Sequence, residues 1–250
     1  MRLLEVKDLK TYFTTSKGKA KAVDGVSFSL DYGQCLGLVG ESGCGKTTTA
    51  LSICHLLPKE GKVESGQILM EGIDYGTLSE EEIMKHRWED VSIIFQGAMN
   101  AFNPVKKVGW QIAEACILHQ GMSKEEAWKR AGDLFEMVGI ARERVSQYPH
   151  EFSGGMKQRA MIAMALACNP RLLIADEPTT ALDVMIQAQI LELLEKLRKE
   201  LNMGMILITH DLSILSETCD KIAVMYAGKI AEMGTVDDIF NHPMHPYTKK

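Results

Sequence analysis

One segment of eight residues constrains the fold more than any other part of the chain. It fits the pattern G-x-x-x-x-G-K-[ST] and reads Gly40-Glu41-Ser42-Gly43-Cys44-Gly45-Lys46-Thr47. An apolar run, QCLGLVG, precedes it, and a helix predicted over 47–57 follows until Pro58. That strand–loop–helix context is the one a phosphate-binding loop requires, because its glycines let successive N–H groups turn toward anionic oxygens. The sequence therefore predicts an α/β fold that binds a nucleotide.

Two residues of this loop carry side chains suited to a nucleoside triphosphate. Lys46 supplies a positive charge for the β- and γ-phosphates, and the Thr47 hydroxyl is placed to bind Mg²⁺. A second site is predicted where the apolar run LLIA ends in Asp176 and Glu177. Parallel strands present their carboxyl ends to ligands. Asp176 is therefore expected to reach the Mg²⁺ held by Thr47, and Glu177 to polarise the attacking water.

Composition limits where such a chain can act. Its 250 residues are 46% apolar and 24% charged, with a net charge of −5, so no basic balance points to nucleic acid. No apolar run approaches the ~18 residues of a membrane helix, and the N-terminus lacks a signal-peptide core. We expect a cytoplasmic protein that meets a membrane only through a partner. The six cysteines lack C-x-x-C spacing, and all but Cys44 are expected in the core.

The spacing of apolar residues changes between the two predicted sites. Residues 2–38 are predicted as strands and turns, whereas residues 105–147 carry apolar residues at helical spacing, with Ser123 and Glu126 as a capping box. The predicted organisation is an ATP-binding core of 1–97 and 153–235, an inserted helical subdomain of 98–152, and a tail of 236–250. Residues 182–201 are predicted as a helix with an apolar stripe facing the core.

The remaining motifs form a recognisable set. F-S-G-G-M begins at Phe152 and precedes an amphipathic helix; D-E-P-T, A-L-D and a histidine after MILIT follow. In this order they resemble the ABC ATPase family over essentially the whole chain. The resemblance implies a P-loop NTPase cassette with an N-terminal antiparallel β region and an inserted helical subdomain. It also implies a head-to-tail dimer in which each phosphate loop and the partner's S-G-G segment hold one ATP.

The resemblance assigns roles to individual residues. Glu177, His210, Lys46 and Gln96 would be catalytic, and Thr47, Gln96 and Asp176 would bind Mg²⁺. The ATP-binding residues would be Phe13 on adenine (with Tyr12 as the alternative), Gly40, Glu41, Ser42, Gly43, Cys44, Gly45, Lys46, Thr47 and Thr48, and, across the dimer, Ser153, Gly154, Gly155 and Asp183. Met156 stands where the broad family usually has glutamine, which leaves only main-chain contacts expected there.

Several stretches resemble the dipeptide, oligopeptide and nickel importer ATPases in particular. They are AVDGVSF, GLVGESGCGKTTTA, IIFQGAMNAFNPV, YPHEFSGGMKQR and HPMHPYTKK, although Gly97-Ala98 replaces the usual Asp-Pro. The partners implied are a second cassette, identical or paralogous, two membrane-spanning permease subunits and an extracytoplasmic solute-binding protein, with this chain peripheral at the cytoplasmic face. Relatives often continue past HPYT with a cysteine-bearing tail, so a chain ending at Lys250 is expected to lack an iron–sulfur cluster.

Other functions fit the sequence less well. A DNA-associated ABC ATPase would place a long heptad-rich coiled coil between residues 47 and 153, and none is present. A tandem translation-type factor would need two cassettes. A binding module without chemistry is disfavoured because Lys46, Asp176, Glu177 and His210 are all present. Importers of the phosphonate and glutathione types remain open.

Overall fold

The computed structural model describes residues 2–97, 101–180 and 182–249, which form two compact units. The first unit comprises Met1–Met84 and Asn202–Lys250, and the second comprises Lys85–Leu201. The strands are β1 (Arg2–Thr15), β2 (Gly18–Asp31), β3 (Cys35–Val39), β4 (Gly61–Met70), β5 (Ile73–Asp74), β6 (Val91–Ile94), β7 (Leu172–Asp176), β8 (Gly204–Ile208), β9 (Lys221–Tyr226) and β10 (Lys229–Thr235). The helices are α1 (Lys46–Ile53), α2 (Glu80–His86), α3 (Val108–Gln120), α4 (Lys124–Met137), α5 (Gly154–Ala165), α6 (Val184–Leu201), α7 (Leu212–Thr218) and α8 (Val236–Asn241).

The first unit contains an antiparallel sheet in the order β2-β1-β4-β5. One face of β1 and β2 is apolar and buried, as Leu4, Val6, Val26 and Phe28 show, so the sheet covers a core on that side. This sheet is the expected N-terminal antiparallel β region, and it is formed by β1 and β2 together with β4 and β5.

A second set of strands in the first unit runs in the order β10-β9-β3-β8. Strand β3 is buried along its whole length and pairs in parallel with both β8 and β9. Continuous apolar sequence suits a strand covered on both faces, and both CLGLV and GMILI are buried along their whole length. Their carboxyl ends therefore emerge side by side.

The second unit combines a parallel strand pair, β6 and β7, with helices α3 to α6. The predicted capping box is present at the start of α4: Ser123 accepts a hydrogen bond from the Glu126 N–H, and Glu126 accepts one from the Ser123 N–H. The predicted insertion of residues 98–152 lies wholly within this unit, and its boundaries stay a prediction. Within the described ranges, no helix is long and apolar enough to cross a membrane.

Three details differ from the sequence expectations. Helix α1 ends at Ile53 rather than at residue 57, because His55 adopts a left-handed conformation with φ of 54°. The stripe on α6 is buried in its middle, at Ile190, Leu194 and Leu197, but Leu201 at its end is exposed. Cys44 was expected to differ from the other cysteines, yet it is 5% exposed and packs inside the loop.

Candidate nucleotide site

In the first unit, the phosphate loop and His210 follow two strands that are in register. Leu38 of β3 pairs with Ile208 of β8, and the Thr209 N–H donates to the Leu38 carbonyl at 3.4 Å. Gly40 and His210 each stand two residues beyond that last pair. Both therefore lie at the carboxyl edge of the same parallel strands, where ligands bind in this type of fold. The His210 side chain is exposed at that edge.

The conformation of the loop depends on its glycines. Gly40, Gly43 and Gly45 have φ values of 150°, 81° and 109°. A Cβ at Gly40 would lie 2.1 Å from the Met225 carbonyl oxygen, and one at Gly45 would lie 2.3 Å from the Ala22 carbonyl oxygen. A Cβ at Gly43 would meet nothing within 4 Å. The loop is thus closely packed at Gly40 and Gly45 and open to solvent at Gly43.

Lys46 lies inside the curl of this loop. Its side chain is 7% exposed, and its ammonium donates to the carbonyl oxygens of Gly40 at 2.7 Å and Glu41 at 3.1 Å. The buried ammonium is thereby held at the first residue of α1, where main-chain N–H groups also attract anions. Thr47 is exposed and Thr48 is half-buried. This arrangement suits a chain of phosphate groups.

The two candidate adenine partners sit side by side on β1 in different surroundings. The Tyr12 hydroxyl donates to Asp24 at 2.6 Å, and the Lys21 ammonium lies 5.4 Å from the Tyr12 ring centroid. The hydrogen bond to Asp24 is the main cause that raises the pKa of Tyr12, and it lowers the pKa of Asp24. Phe13 is half-buried, and its ring lies against Gly61, where a Cβ would be 2.8 Å from the ring.

Strand β2 connects these aromatic residues to the phosphate loop. The Asp24 N–H donates to the Gly228 carbonyl at 2.7 Å, and the Gly228 N–H donates to the Cys44 carbonyl at 2.9 Å. Tyr12 is therefore tied by its hydroxyl to the residues that support the loop, whereas Phe13 makes no such bond. Phe13 stays the predicted stacking partner, with Tyr12 as the alternative.

The second unit repeats the strand-end arrangement with different side chains. Ile94 of β6 pairs with Ala175 of β7, and Gln96 and Glu177 each stand two residues beyond that pair. The Gln96 amide donates to Glu177 Oε2 at 2.7 Å, and the Thr180 hydroxyl donates to the same oxygen at 2.9 Å. Glu177 has a φ of 47°, an unfavourable conformation for a residue with a side chain. Asp176, immediately before it, is 2% exposed.

The S-G-G segment forms the predicted helix start. Ser153 is the N-cap of α5, and its hydroxyl accepts a hydrogen bond from the Met156 N–H at 3.3 Å. Gly154 is exposed, and a Cβ at Gly155 would lie 3.0 Å from Ile186 of α6. Asp183 is exposed and accepts a hydrogen bond from the Ile186 N–H at 3.0 Å. The start of α5 is therefore open to an anion, as helix N-termini favour.

Three contacts were missed by the sequence reasoning. Thr180 was not given a role, although a threonine three residues after the acidic pair could have suggested one. Tyr247 was noted only within the motif HPYT, yet its hydroxyl accepts a hydrogen bond from the Glu41 N–H at 3.1 Å. Gln96 is predicted to contact Mg²⁺ and water, and no local pattern in the sequence indicates that its amide reaches Glu177.

A phosphate loop at one strand edge, an acidic pair at another and a glycine-bearing helix start together define an ATP-binding cassette. The family model described as "ABC transporter" matches residues 23–180. The chain belongs to the ABC transporter family, and it is an ATPase of that family. The predicted fold class is confirmed by the structures it resembles.

Similar proteins include transport ATP-binding proteins. The chain is 55% identical to the oligopeptide transport ATP-binding protein OppD of Bacillus subtilis (strain 168), over 99% of this chain and 70% of that protein. It is 52% identical to the dipeptide transport ATP-binding protein DppD of the same organism, over 99% of this chain and 75% of that protein.

Solved structures of cassettes are also similar. The dimeric post-hydrolysis state of the ATP-binding cassette MJ0796, bound to ADP and Pi, aligns with a TM-score of 0.83 and 27% identity, over 94% of this chain and 99% of that one. CbiO1 from Clostridium perfringens, part of the ABC transporter complex cbiONQ, aligns with a TM-score of 0.81 and 30% identity, over 96% of this chain and 91% of that one.

Proposed function

We propose that this chain is the ATP-hydrolysing subunit of a peptide importer, bound peripherally at the cytoplasmic face of a membrane. The observation that carries the substrate class is identity of 55% and 52%, over 99% of the chain, to proteins named for oligopeptide and dipeptide transport. The geometry of the two strand edges supports the chemistry. ATP hydrolysis would supply the free energy, and the transported peptide would be selected by other subunits.

The phosphate loop would hold the triphosphate of ATP. The main-chain N–H groups of residues 43–48 and the Lys46 ammonium would neutralise its oxygens, and Phe13 would stack on adenine. The open side at Gly43 gives the phosphates access without moving the packed side of the loop. His210, exposed at the same strand edge, would contact the γ-phosphate.

Mg²⁺ would be held by Thr47, Gln96 and Asp176 together with phosphate oxygens. Among the residues the structure describes, no group of three or more His, Cys, Asp and Glu could hold a metal by itself. A ligand set with a single carboxylate, that of Asp176, suits Mg²⁺, which proteins usually bind through one or two carboxylates and the oxygens of a bound phosphate. Bound there, the ion would neutralise negative charge that develops on the phosphate oxygens.

Glu177 would act as the base for the attacking water. Its Oε2 is fixed by the Gln96 amide and the Thr180 hydroxyl, so the carboxylate is oriented before any nucleotide arrives. A general base must be held within hydrogen-bond reach of the proton that it accepts. Gln96, bonded to Glu177, would contact both this carboxylate and the nucleotide.

Two copies, or this chain and a paralogue, would close head to tail around two ATP molecules. Ser153, Gly154 and Gly155 at the open start of α5 would contact the γ-phosphate held by the partner. Beside Asp183, Val184 and Met185 are 80% and 74% exposed, an apolar surface that a partner cassette would cover. Closure would then assemble the complete site only when both cassettes meet.

The permease subunits would contact the helical part of the second unit. A surface cavity of about 600 Å³ there is lined by the aromatic rings of Trp110, Trp128 and Tyr148, with Lys106, Lys107 and Lys124 around it. Tyr148 is exposed and the two tryptophans are half-buried, and aromatic side chains are enriched at protein interfaces. Two permeases and an extracytoplasmic solute-binding protein would complete the importer.

Lys46→Ala in the assembled importer tests the proposal. We expect ATP hydrolysis at background and weaker nucleotide binding, because the charge at the β- and γ-phosphates is removed. The unaltered importer, reconstituted in vesicles, should hydrolyse ATP faster when its binding protein is loaded with peptide, and should accumulate that peptide. Near-normal turnover in Lys46→Ala would refute the phosphate-loop assignment, and stimulation by nickel but by no peptide would refute the substrate class.

A further inference from the structure

The last described residues are hydrogen-bonded to β10. The carboxylate of Glu232 accepts hydrogen bonds from the Met244 N–H at 2.7 Å and the His245 N–H at 3.0 Å. The next turn is closed locally, since the Tyr247 N–H donates to His245 Nδ1 at 3.2 Å and the Lys249 N–H donates to the His245 carbonyl at 3.2 Å. Residues 242–249, which we call the terminal segment, therefore have a defined conformation.

One side chain of the terminal segment contacts the phosphate loop. The Tyr247 ring packs on the ring of Tyr226, the last residue of β9, with centroids 4.7 Å apart. Its hydroxyl accepts a hydrogen bond from the Glu41 N–H at 3.1 Å. A residue 206 positions away in sequence thus binds the main chain of the loop at its second residue.

The Glu41 N–H belongs to the same peptide group as the Gly40 carbonyl. That carbonyl oxygen is one of the two that hold the Lys46 ammonium, at 2.7 Å. A peptide group is planar, and in its trans form the C=O and N–H point in opposite directions. Fixing the N–H therefore fixes the direction of the carbonyl. Glycine at position 40 would otherwise let this peptide group rotate more easily than any other residue would.

We propose that Tyr247 is a positioning residue for Lys46: its hydroxyl orients the Gly40–Glu41 peptide group, which holds the ammonium where phosphate binds. The inference rests on the proposed role of Lys46. Preorganisation of this kind strengthens binding because less freedom is lost when the ligand arrives. Tyr247 acts through the loop and does not touch the nucleotide.

Tyr247→Phe is the direct test, because it keeps the ring on Tyr226 and removes only the hydroxyl. The probe is MgATP, with its dissociation constant measured on the purified full chain. We expect binding about two- to tenfold weaker, the range for one lost hydrogen bond. In the reconstituted importer, KM for ATP should rise by the same factor with kcat unchanged, as for an interaction equal in ground and transition states. Tyr226→Phe is the matched control and should bind MgATP normally.

Three further measurements separate the possible failures. Glu232→Gln should weaken MgATP binding in the same direction, because it loosens the segment that carries Tyr247. If Tyr247→Phe binds MgATP as tightly as the unaltered chain, or more tightly, the inference is wrong. If Lys46→Ala loses binding while Tyr247→Phe does not, only the inference fails; if Lys46→Ala also binds normally, the proposed phosphate site fails with it. Thermal unfolding of Tyr247→Phe should be unchanged, and a large drop would make the tyrosine a structural residue instead.

Discussion

The two parallel strand pairs, β3 with β8 and β6 with β7, have the same geometry at their carboxyl ends but present different chemical groups there. In each pair the functional residues stand two positions beyond the last paired residues, Leu38 with Ile208 and Ile94 with Ala175. Beyond β3 the chain curls through glycines and offers main-chain donors. Beyond β6 and β7 it offers the side chains of Gln96 and Glu177, joined by a hydrogen bond.

This difference indicates where each region can tolerate change. The loop after β3 depends on main-chain conformation, so an added methyl group at a packed glycine should disturb it. The edge after β6 and β7 carries the carboxylate proposed as the base, so a substitution that keeps its shape should slow the reaction strongly without disturbing the fold. Variants of the two kinds should therefore separate binding from hydrolysis.

The largest effect is expected for Glu177→Gln, which keeps the shape of the side chain and removes its basicity. General-base catalysis contributes about 10²- to 10⁴-fold, so hydrolysis should fall by that factor while ATP still binds. The closed dimer should then accumulate with ATP and be absent without it, as measured by light scattering.

Ser153→Arg added to Glu177→Gln is the control for the shared site. A bulky side chain at the start of α5 should abolish the ATP-dependent dimer. If Glu177→Gln remains monomeric with ATP, both alone and with every paralogous cassette offered to it, the head-to-tail mechanism is wrong.

Gly45→Ala should have the next largest effect, on both stability and binding. The new Cβ would lie 2.3 Å from the Ala22 carbonyl oxygen at a φ of 109°. Overpacking and left-handed strain each cost about 1–3 kcal/mol, so the free energy of unfolding should fall by roughly 2–6 kcal/mol. Gly18→Ala is the matched control, since its φ is 120° but nothing lies within 4 Å of the added Cβ. Equal losses in the two variants, measured by denaturant unfolding, would show that packing at Gly45 does not matter.

The smallest of these effects concerns the adenine. Phe13→Ala should raise KM for ATP, because stacking of a base on an aromatic ring contributes about 1–3 kcal/mol. Tyr12→Phe is the comparison: it removes the hydrogen bond to Asp24 but keeps the ring. A rise in KM for Tyr12→Ala, with none for Phe13→Ala, would assign the stacking to Tyr12.

Much of this architecture could be predicted because its signals are local. The apolar run before Gly40 specifies a strand, and Ser123 with Glu126 specifies a helix start. The Gln96–Glu177 hydrogen bond was not predictable, because it depends on the register between β6 and β7. The end of β6 at Ile94 and the start of β7 at Leu172 are 78 positions apart in the sequence. The burial of Cys44 was missed for a similar reason: the main chain around Met225, distant in sequence, packs against the loop.

The backbone conformation of Glu177 has a consequence for how such a chain evolves. Its left-handed φ of 47° is the kind of geometry that glycine or asparagine adopts at lower cost. Selection for folding alone would favour one of those residues at this position, yet either would remove the carboxylate. With Glu177 as the proposed base, stability and activity would compete at a single site, and glutamate there would favour turnover at the expense of a more stable fold.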